Sequence, residues 1–212
     1  DFSEELSTFA KQAFENNWID AKPREGKRGG AFCSNIHSIG ESRIMSNFTG
    51  SFDDVITLAH ELGHAYHDHC LKNETILNSS YPMPIAETAS IFAENIIMQA
   101  ALKEADKETK FALLENNLMG ATQTIVDIYS RYLFETEVFE KRKKGSIPVE
   151  SLNKLMIDAQ LKAYGNALDP NILHPYMWIC KPHYYDANYN FYNFPYAFVH
   201  FIGFALLMIL IG

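Results

Sequence analysis

The segment that most constrains this chain runs from Thr57 to His67. It contains the pattern His-Glu-x-x-His, at His60, Glu61 and His64. Two aspartates precede it at positions 53 and 54, where a first helical turn favours negative charge. Apolar residues recur around the pattern at helical spacing: Val55, Ile56, Leu58, Ala59, Leu62 and Ala65. We therefore predict a helix with one buried face in this part of the chain.

The pattern also predicts a metal site on that helix. Residues four apart lie above one another, so His60 and His64 can reach one metal ion together. Glu61 lies about 100° further round the helix, where it can reach a water molecule beside that ion. The alternative is a buried helix whose two histidines make ordinary hydrogen bonds. We favour the metal site, because chance matches usually lack a helical setting and a third ligand.

The third ligand decides the class of site. A third histidine ten residues after the first would indicate a metzincin, but Cys70 occupies that position and excludes this class. A carboxylate from a second helix is the other solution, and the candidates are Asp68, Glu74, Glu87 and Glu94. We predict Glu87, because the small residues 88–90 allow its helix to approach the metal helix closely. Alternatively, Glu87 only stabilises the start of its own helix through its negative charge.

Glu94 lies two turns beyond Glu87 on the same side of that predicted helix. It either orients a ligating histidine or is simply exposed. Two histidines and one glutamate leave the fourth position of a zinc ion open, as in catalytic rather than structural sites. The sequence therefore predicts one catalytic Zn²⁺ per chain.

Composition limits the other function classes. A chain of 212 residues can form one domain with a sizeable core, and its formal net charge of −8 argues against nucleic-acid binding. The three cysteines, Cys33, Cys70 and Cys180, are too few and too widely spaced for a disulfide framework. We therefore expect a reducing, cytoplasmic compartment. Residues 197–212 are almost wholly apolar. We prefer a buried helix, cut off by truncation or by a shifted reading frame, to a membrane anchor there.

The remaining patterns predict a mainly helical fold with a small β-sheet beside the metal helix. The predicted helices are Ser3–Asn16, Ile85–Glu104, Lys107–Lys143 and Val149–Tyr164. The predicted strands are Ala31–Ile36 and Arg43–Thr49. A strand that leads into the metal helix can offer its edge to an extended peptide, or it can belong to an ordinary short hairpin.

An aromatic segment follows these helices and is rich in phenols. It begins with Lys-Pro-His-Tyr-Tyr at residues 181–185 and continues through Tyr189, Tyr192 and Tyr196. Aromatic packing with polar tips at the surface is one explanation. The other is catalytic, because hydrolysis of an amide needs hydrogen-bond donors for the oxyanion, and phenols and imidazoles supply them.

Three separated motifs occur in an informative order: HELGHAYH, then PIAETAS, then KPHYY with FYNFPYAF. Together with GKRGGAFCS, they resemble the thimet oligopeptidase and oligoendopeptidase F family of zinc metallopeptidases, with the oligoendopeptidase F branch more similar. The resemblance implies a zincin-like (gluzincin) fold and a single catalytic domain over residues 1–212. It also implies a longer peptidase, of which an N-terminal half is missing here.

The same resemblance implies a role for each candidate residue. His60, His64 and Glu87 would bind zinc, and Glu61 would be the general base. His183, Tyr192 and Tyr196 would bind the substrate carbonyl and its oxyanion, with Tyr189 as a substrate-binding residue. The choice among the three tyrosines stays open. The implied substrates are short peptides, hydrolysed at internal bonds.

Two other functions remain open at this stage. The chain could be a catalytically silent zinc-binding fragment that binds peptides, although an intact Glu61 argues against that. It could also be a membrane-anchored protease that uses the apolar end.

Overall fold

The computed structural model describes residues 2–211, with side chains described through residue 202. Two compact units are present: Asp1–Leu113 with Val199–Gly212, and Leu114–Phe198. The helices are α1 Glu4–Glu15, α2 Phe52–Cys70, α3 Met83–Glu104, α4 Lys107–Thr122, α5 Ile128–Arg142, α6 Val149–Tyr164 and α7 Phe194–Ile211. The strands are β1 Ile19–Asp20, β2 Phe32–Ile36 and β3 Glu41–Met45. The prediction of a mainly helical fold with a small sheet is confirmed, whereas one catalytic domain over residues 1–212 stays a prediction.

The sheet of the first unit has the strand order β1-β3-β2, so that β3 is central and β2 lies at an edge. β3 pairs in parallel with β1 and antiparallel with β2. The turn between β2 and β3 ends at Gly40, whose φ of 65° lies in the left-handed region that glycine adopts without steric cost. Strand β1 was not predicted, because it is only two residues long and lies beside turn-forming residues.

The second predicted strand was wrong at both ends, since β3 begins at Glu41 and ends at Met45. The reason that the strand does not extend to Thr49 lies at the start of α2. One carboxylate oxygen of Asp54 accepts hydrogen bonds from the backbone N–H groups of Thr49, Gly50 and Ser51. These three N–H groups are therefore bonded to Asp54 and are not available for pairing in a sheet.

The start of α2 is specified by its own sequence. The Ser51 side chain accepts from the N–H of Asp54 while Asp54 accepts from the N–H of Ser51, which together form a capping box. The buried side of α2 joins a core with α1 and the sheet, formed by Phe9, Ala13, Trp18, Ile44, Leu58 and Ala65. This core fixes the helix that carries the His-Glu-x-x-His pattern.

The second unit is built on α5 and α6, which pack through a core of Phe134, Leu155, Met156 and Ala159. The predicted helical region Lys107–Lys143 is present but contains one turn of π-helix, Gln123–Asp127, between α4 and α5. The aromatic segment, residues 181–196, includes a short 3₁₀-helix at Pro182–Tyr185 and leads into α7.

The apolar end of the chain is helical from residue 197 to residue 211, as part of α7. The predicted burial of residues 203–212 concerns side chains that lie outside the described part. Among the described residues, no helix combines the length and the apolar character that crossing a membrane would require.

Candidate active site

The three predicted metal ligands meet between α2 and α3. The Nε2 atoms of His60 and His64 are 3.2 Å apart. Glu87 Oε2 lies 3.3 Å from the first of these nitrogens and 3.7 Å from the second. Among the described residues, this is the group of histidine, cysteine and carboxylate side chains arranged to share one metal ion.

These distances fit a tetrahedral zinc site. Zinc bonds to nitrogen and oxygen are about 2.0–2.1 Å long, which places two tetrahedral ligands roughly 3.3–3.4 Å from each other. All three observed separations lie close to that edge length. Three ligands on one triangular face leave a fourth position for water or substrate, so the residues fit a catalytic zinc ion.

Glu94 completes the arrangement from the second turn beyond Glu87. Its Oε1 lies 2.5 Å from Nδ1 of His60. If Nδ1 carries the proton and donates it to this carboxylate, the Nε2 lone pair of a neutral His60 is directed at the shared point. Of the two roles that the sequence left open for Glu94, this contact favours the orientation of His60.

The electrostatics of the cluster favour a cation. Burial lowers the pKa of His60, but the carboxylates of Glu87 and Glu94 outweigh burial and raise this pKa to about 10. Burial, together with the charge on His60, lowers the pKa of His64 to about 4. The environment thus favours one positive charge where the three donor atoms meet, which is what a bound metal ion supplies.

We expect Glu94→Ala to weaken zinc binding by about 10- to 100-fold, because loss of a histidine-orienting carboxylate has typical effects of that size. Competition titration with a coloured chelator measures this affinity. Glu104→Ala, at the exposed end of α3, is the matched control and should bind zinc as the unchanged protein does. Equal affinities for the two variants would show that Glu94 does not orient His60.

The ligands can meet because α2 and α3 approach very closely at Gly63. A Cβ added at Gly63 would lie 2.7 Å from the carbonyl oxygen of Ala89 and 2.8 Å from Cα of Ser90. Both are backbone atoms, which cannot move aside as a flexible side chain can. The small residues after Glu87 therefore lie against Gly63 of α2. The sequence analysis did not identify this glycine.

We predict that Gly63→Ala destabilises the metal-free protein by about 1–3 kcal/mol, because overpacking forces the two helices apart. Zinc affinity should fall as well, since His64 and Glu87 lie on the two separated helices. Urea unfolding in the presence of a chelator measures the first effect.

Gly120→Ala is the matched control, because a Cβ at this helical glycine meets nothing within 4 Å. Alanine there should leave stability unchanged or raise it by up to about 1 kcal/mol. Similar effects of the two substitutions would contradict the close-contact explanation.

Glu61 is 6% exposed and lies outside the group of three ligands. Burial raises the pKa of its carboxyl, and the negative charges of Glu87 and Glu94 add to this effect. The charge on His60 and the backbone N–H of Cys33, on the edge strand β2, oppose it. A raised pKa brings a carboxylate closer to the range in which it accepts and returns a proton efficiently.

The rejected ligand Asp68 has a different role. Its buried carboxylate accepts hydrogen bonds from Tyr81, at 2.6 Å, and from Ser42, at 3.3 Å. These bonds join α2 to β3 and to the segment before α3. Nothing in local sequence spacing could have predicted this network, since its members are 13 and 26 residues from Asp68.

The predicted aromatic residues are neighbours within the second unit. The Tyr192 ring stacks on His183 at a centroid distance of 5.6 Å. It also meets Tyr189 and Tyr196 edge-on, at 5.2 Å and 6.3 Å. Burial and the cations Arg131 and Lys181 lower the pKa of His183, so its imidazole is neutral near pH 7 and can donate one N–H.

Tyr184 differs from these residues. Its ring packs against Phe134 of α5, at 5.4 Å between centroids, and beside the core of the second unit. Its hydroxyl is buried and has no hydrogen-bond partner among the described residues. These contacts indicate that Tyr184 serves packing.

Comparison with known proteins identifies a family and several relatives of this chain. A family model described as peptidase family M3 matches residues 2–207. The chain is 35% identical over 199 residues to the chromosomal oligoendopeptidase F of Lactococcus lactis subsp. cremoris. This match covers 92% of this chain and 32% of the relative. The chain is 32% identical over 199 residues to the group B oligopeptidase PepB of Streptococcus agalactiae serotype III, with the same two coverages. The chain thus spans about a third of the length of these curated relatives.

A solved structure shares the fold. Pz peptidase A, determined with an inhibitor, matches with a TM-score of 0.79 at 23% identity. The match covers 96% of this chain and 36% of the other chain. At this level of identity the likeness concerns the fold alone.

Proposed function

Because the chain belongs to peptidase family M3, we propose that it forms the zinc-binding part of a metalloendopeptidase that hydrolyses internal bonds of short peptides. The observation that carries this proposal is the triangle of His60, His64 and Glu87 donor atoms, with edges of 3.2–3.7 Å, beside a buried Glu61. Oligopeptides as substrates are supported by the names of the relatives, which are an oligoendopeptidase and an oligopeptidase.

A zinc ion held by these ligands would act as a Lewis acid on the scissile carbonyl and would lower the pKa of a bound water molecule. Glu61 accepts the proton of the attacking water and then delivers it to the leaving amine. Its buried carboxyl, with a raised pKa, suits both transfers. His60 is kept in one orientation by Glu94 throughout.

We assign the oxyanion to donors of the aromatic segment. His183 and Tyr192 donate to the developing negative charge, and Tyr196 is the alternative phenol. Tyr189, whose ring is about half exposed, contacts the substrate. The support for these roles is the stacking of His183 on Tyr192 and the neutral state of its imidazole.

The partners and location belong to the same proposal. The relatives are about three times as long as this chain, which supports an N-terminal portion of the same polypeptide as its partner in the complete protein. A cytoplasmic location is supported by three free cysteines, as expected in a reducing compartment.

The test combines metal analysis with hydrolysis of an internally quenched peptide, on this chain and on the full gene product. We expect one zinc per molecule, cleavage at an internal bond, loss of cleavage with a chelator and recovery with added zinc. Zinc binding without cleavage in either polypeptide would instead favour a silent peptide-binding fragment. The absence of bound zinc would contradict the proposal.

A further inference from the structure

Two buried charged residues of α5 lie outside the metal centre and face the aromatic segment. Arg131 and Glu135 are 8% and 7% exposed, and they are four residues apart on one side of the helix. Arg131 forms an ion pair with Asp127, at the end of the π-helical turn. The carboxylate of Glu135 accepts instead from a backbone group, the N–H of Phe191, at 3.0 Å.

The backbone at Phe191 needs this support. Its φ is 54°, a left-handed conformation that is uncommon and strained for an aromatic residue. Such a conformation persists where surrounding contacts outweigh its cost. Here these contacts are the bond to Glu135 and the rings of Tyr132 and Phe139, each 5.5 Å from the Phe191 ring.

Arg131 makes the corresponding contact on the other side of Tyr192. Its Nη1 donates to Oδ1 of Asn193 at 3.2 Å. Both chain neighbours of Tyr192 are thus bonded to buried charges on one face of α5. Tyr192 itself stacks on His183 between these two attachments.

We infer that Glu135 and Arg131 are positioning residues, which hold the residues on either side of Tyr192 so that its phenol stays beside His183. The inference rests on the proposed function, in which Tyr192 is an oxyanion donor. Burying a carboxylate is costly, and replacing buried charges by apolar residues is often stabilising. Stability alone therefore does not explain why Glu135 and Arg131 are buried. Placement of the Tyr192 backbone does explain it.

Glu135→Met and Glu135→Gln form a matched pair for the test, carried out on the complete zinc-loaded protein. Methionine fills a similar volume without an acceptor, whereas the glutamine amide oxygen can still accept from Phe191. We expect Glu135→Met to lower kcat by roughly 10- to 100-fold with KM within a few-fold, since a misplacement of about 1 Å can cost 10²-fold. Glu135→Gln should stay near the unchanged protein. Equal kinetics for the two variants would overturn the inference.

A double-mutant cycle separates positioning from a general effect on folding. In a Tyr192→Phe background the phenol is already absent, so Glu135→Met should lower kcat by less than about threefold further. The same loss in both backgrounds would mean that Glu135 acts on structure in general, and it would overturn the inference. If Glu135→Met does not fold, Asn193→Ala can replace it, because it removes the bond to Arg131. It is expected to lower kcat in the same way, and to do so much less in the Tyr192→Phe background. Additivity of Asn193→Ala with Tyr192→Phe would overturn it as well.

Hydrogen exchange distinguishes failure of this inference from failure of the proposed function. The amide of Phe191 should lose protection in Glu135→Met and keep it in Glu135→Gln, whether or not Tyr192 is catalytic. If Tyr192→Phe leaves kcat unchanged, the proposed role of Tyr192 as an oxyanion donor is wrong. The exchange protection of the Phe191 amide then decides by itself whether Glu135 holds the backbone at Phe191. Unchanged protection in Glu135→Met would overturn the inference.

Discussion

Glu61→Gln is expected to lower turnover by about 10²–10⁴-fold while zinc stays bound, since general-base catalysis contributes that much. Glutamine keeps the size of the buried side chain and can still accept from the N–H of Cys33, but it cannot take up a proton at neutral pH. The ligands His60, His64 and Glu87 are unchanged. The measurement is kcat on a quenched peptide in the complete protein, with zinc content determined on the same sample.

The control for this substitution is Glu115→Gln, an exposed glutamate of α4 outside the site. It should keep both turnover and zinc. Wild-type turnover in Glu61→Gln would exclude this residue as the base. Loss of zinc together with turnover would mean that Glu61 supports the metal site instead of the proton transfers.

Tyr192→Phe and His183→Ala should each lower kcat by roughly 10²–10³-fold and leave KM within a few-fold. An oxyanion exists only after attack, so its donors act on the transition state more than on substrate binding. Removal of one such donor typically costs about 3–4 kcal/mol in the transition state. Steady-state kinetics on the complete protein measure this, with zinc content determined beside each variant.

Tyr184→Phe is the matched control within the same segment. It keeps the ring that packs against Phe134 and removes a buried hydroxyl that has no partner among the described residues. Its kcat should stay close to that of the unchanged protein. Small, equal effects at positions 183, 184 and 192 would show that the segment is a structural aromatic cluster, and the oxyanion would then need another donor.

Helix α2 and the meeting of Glu87 with His60 and His64 could be predicted from patterns that span only a few helical turns. The spacing of His60 and His64 and the apolar periodicity of α2 each lie within a few helical turns. Glu87 was found because small residues beside it indicated a close approach of two helices. The resemblance to the oligoendopeptidase F branch is confirmed by the family match and the relatives.

The parts that sequence did not predict depend on contacts between distant residues. Gly63 is essential to the helix approach only because Ala89 and Ser90 lie against it, and a glycine inside a helix gives no such sign by itself. Residues 49–51 do not continue the strand, because their N–H groups donate to the Asp54 carboxylate at the start of α2. Glu135 is 56 residues from Phe191, so no local spacing could have paired these two residues.

The measurement that tests the central claim most directly is a crystal structure in which zinc is located by its anomalous scattering. The account predicts one zinc ion bound by Nε2 of His60, Nε2 of His64 and Oε2 of Glu87, with Glu94 on the far side of His60. A zinc ion bound by His67 or Glu74 in place of Glu87 would contradict it.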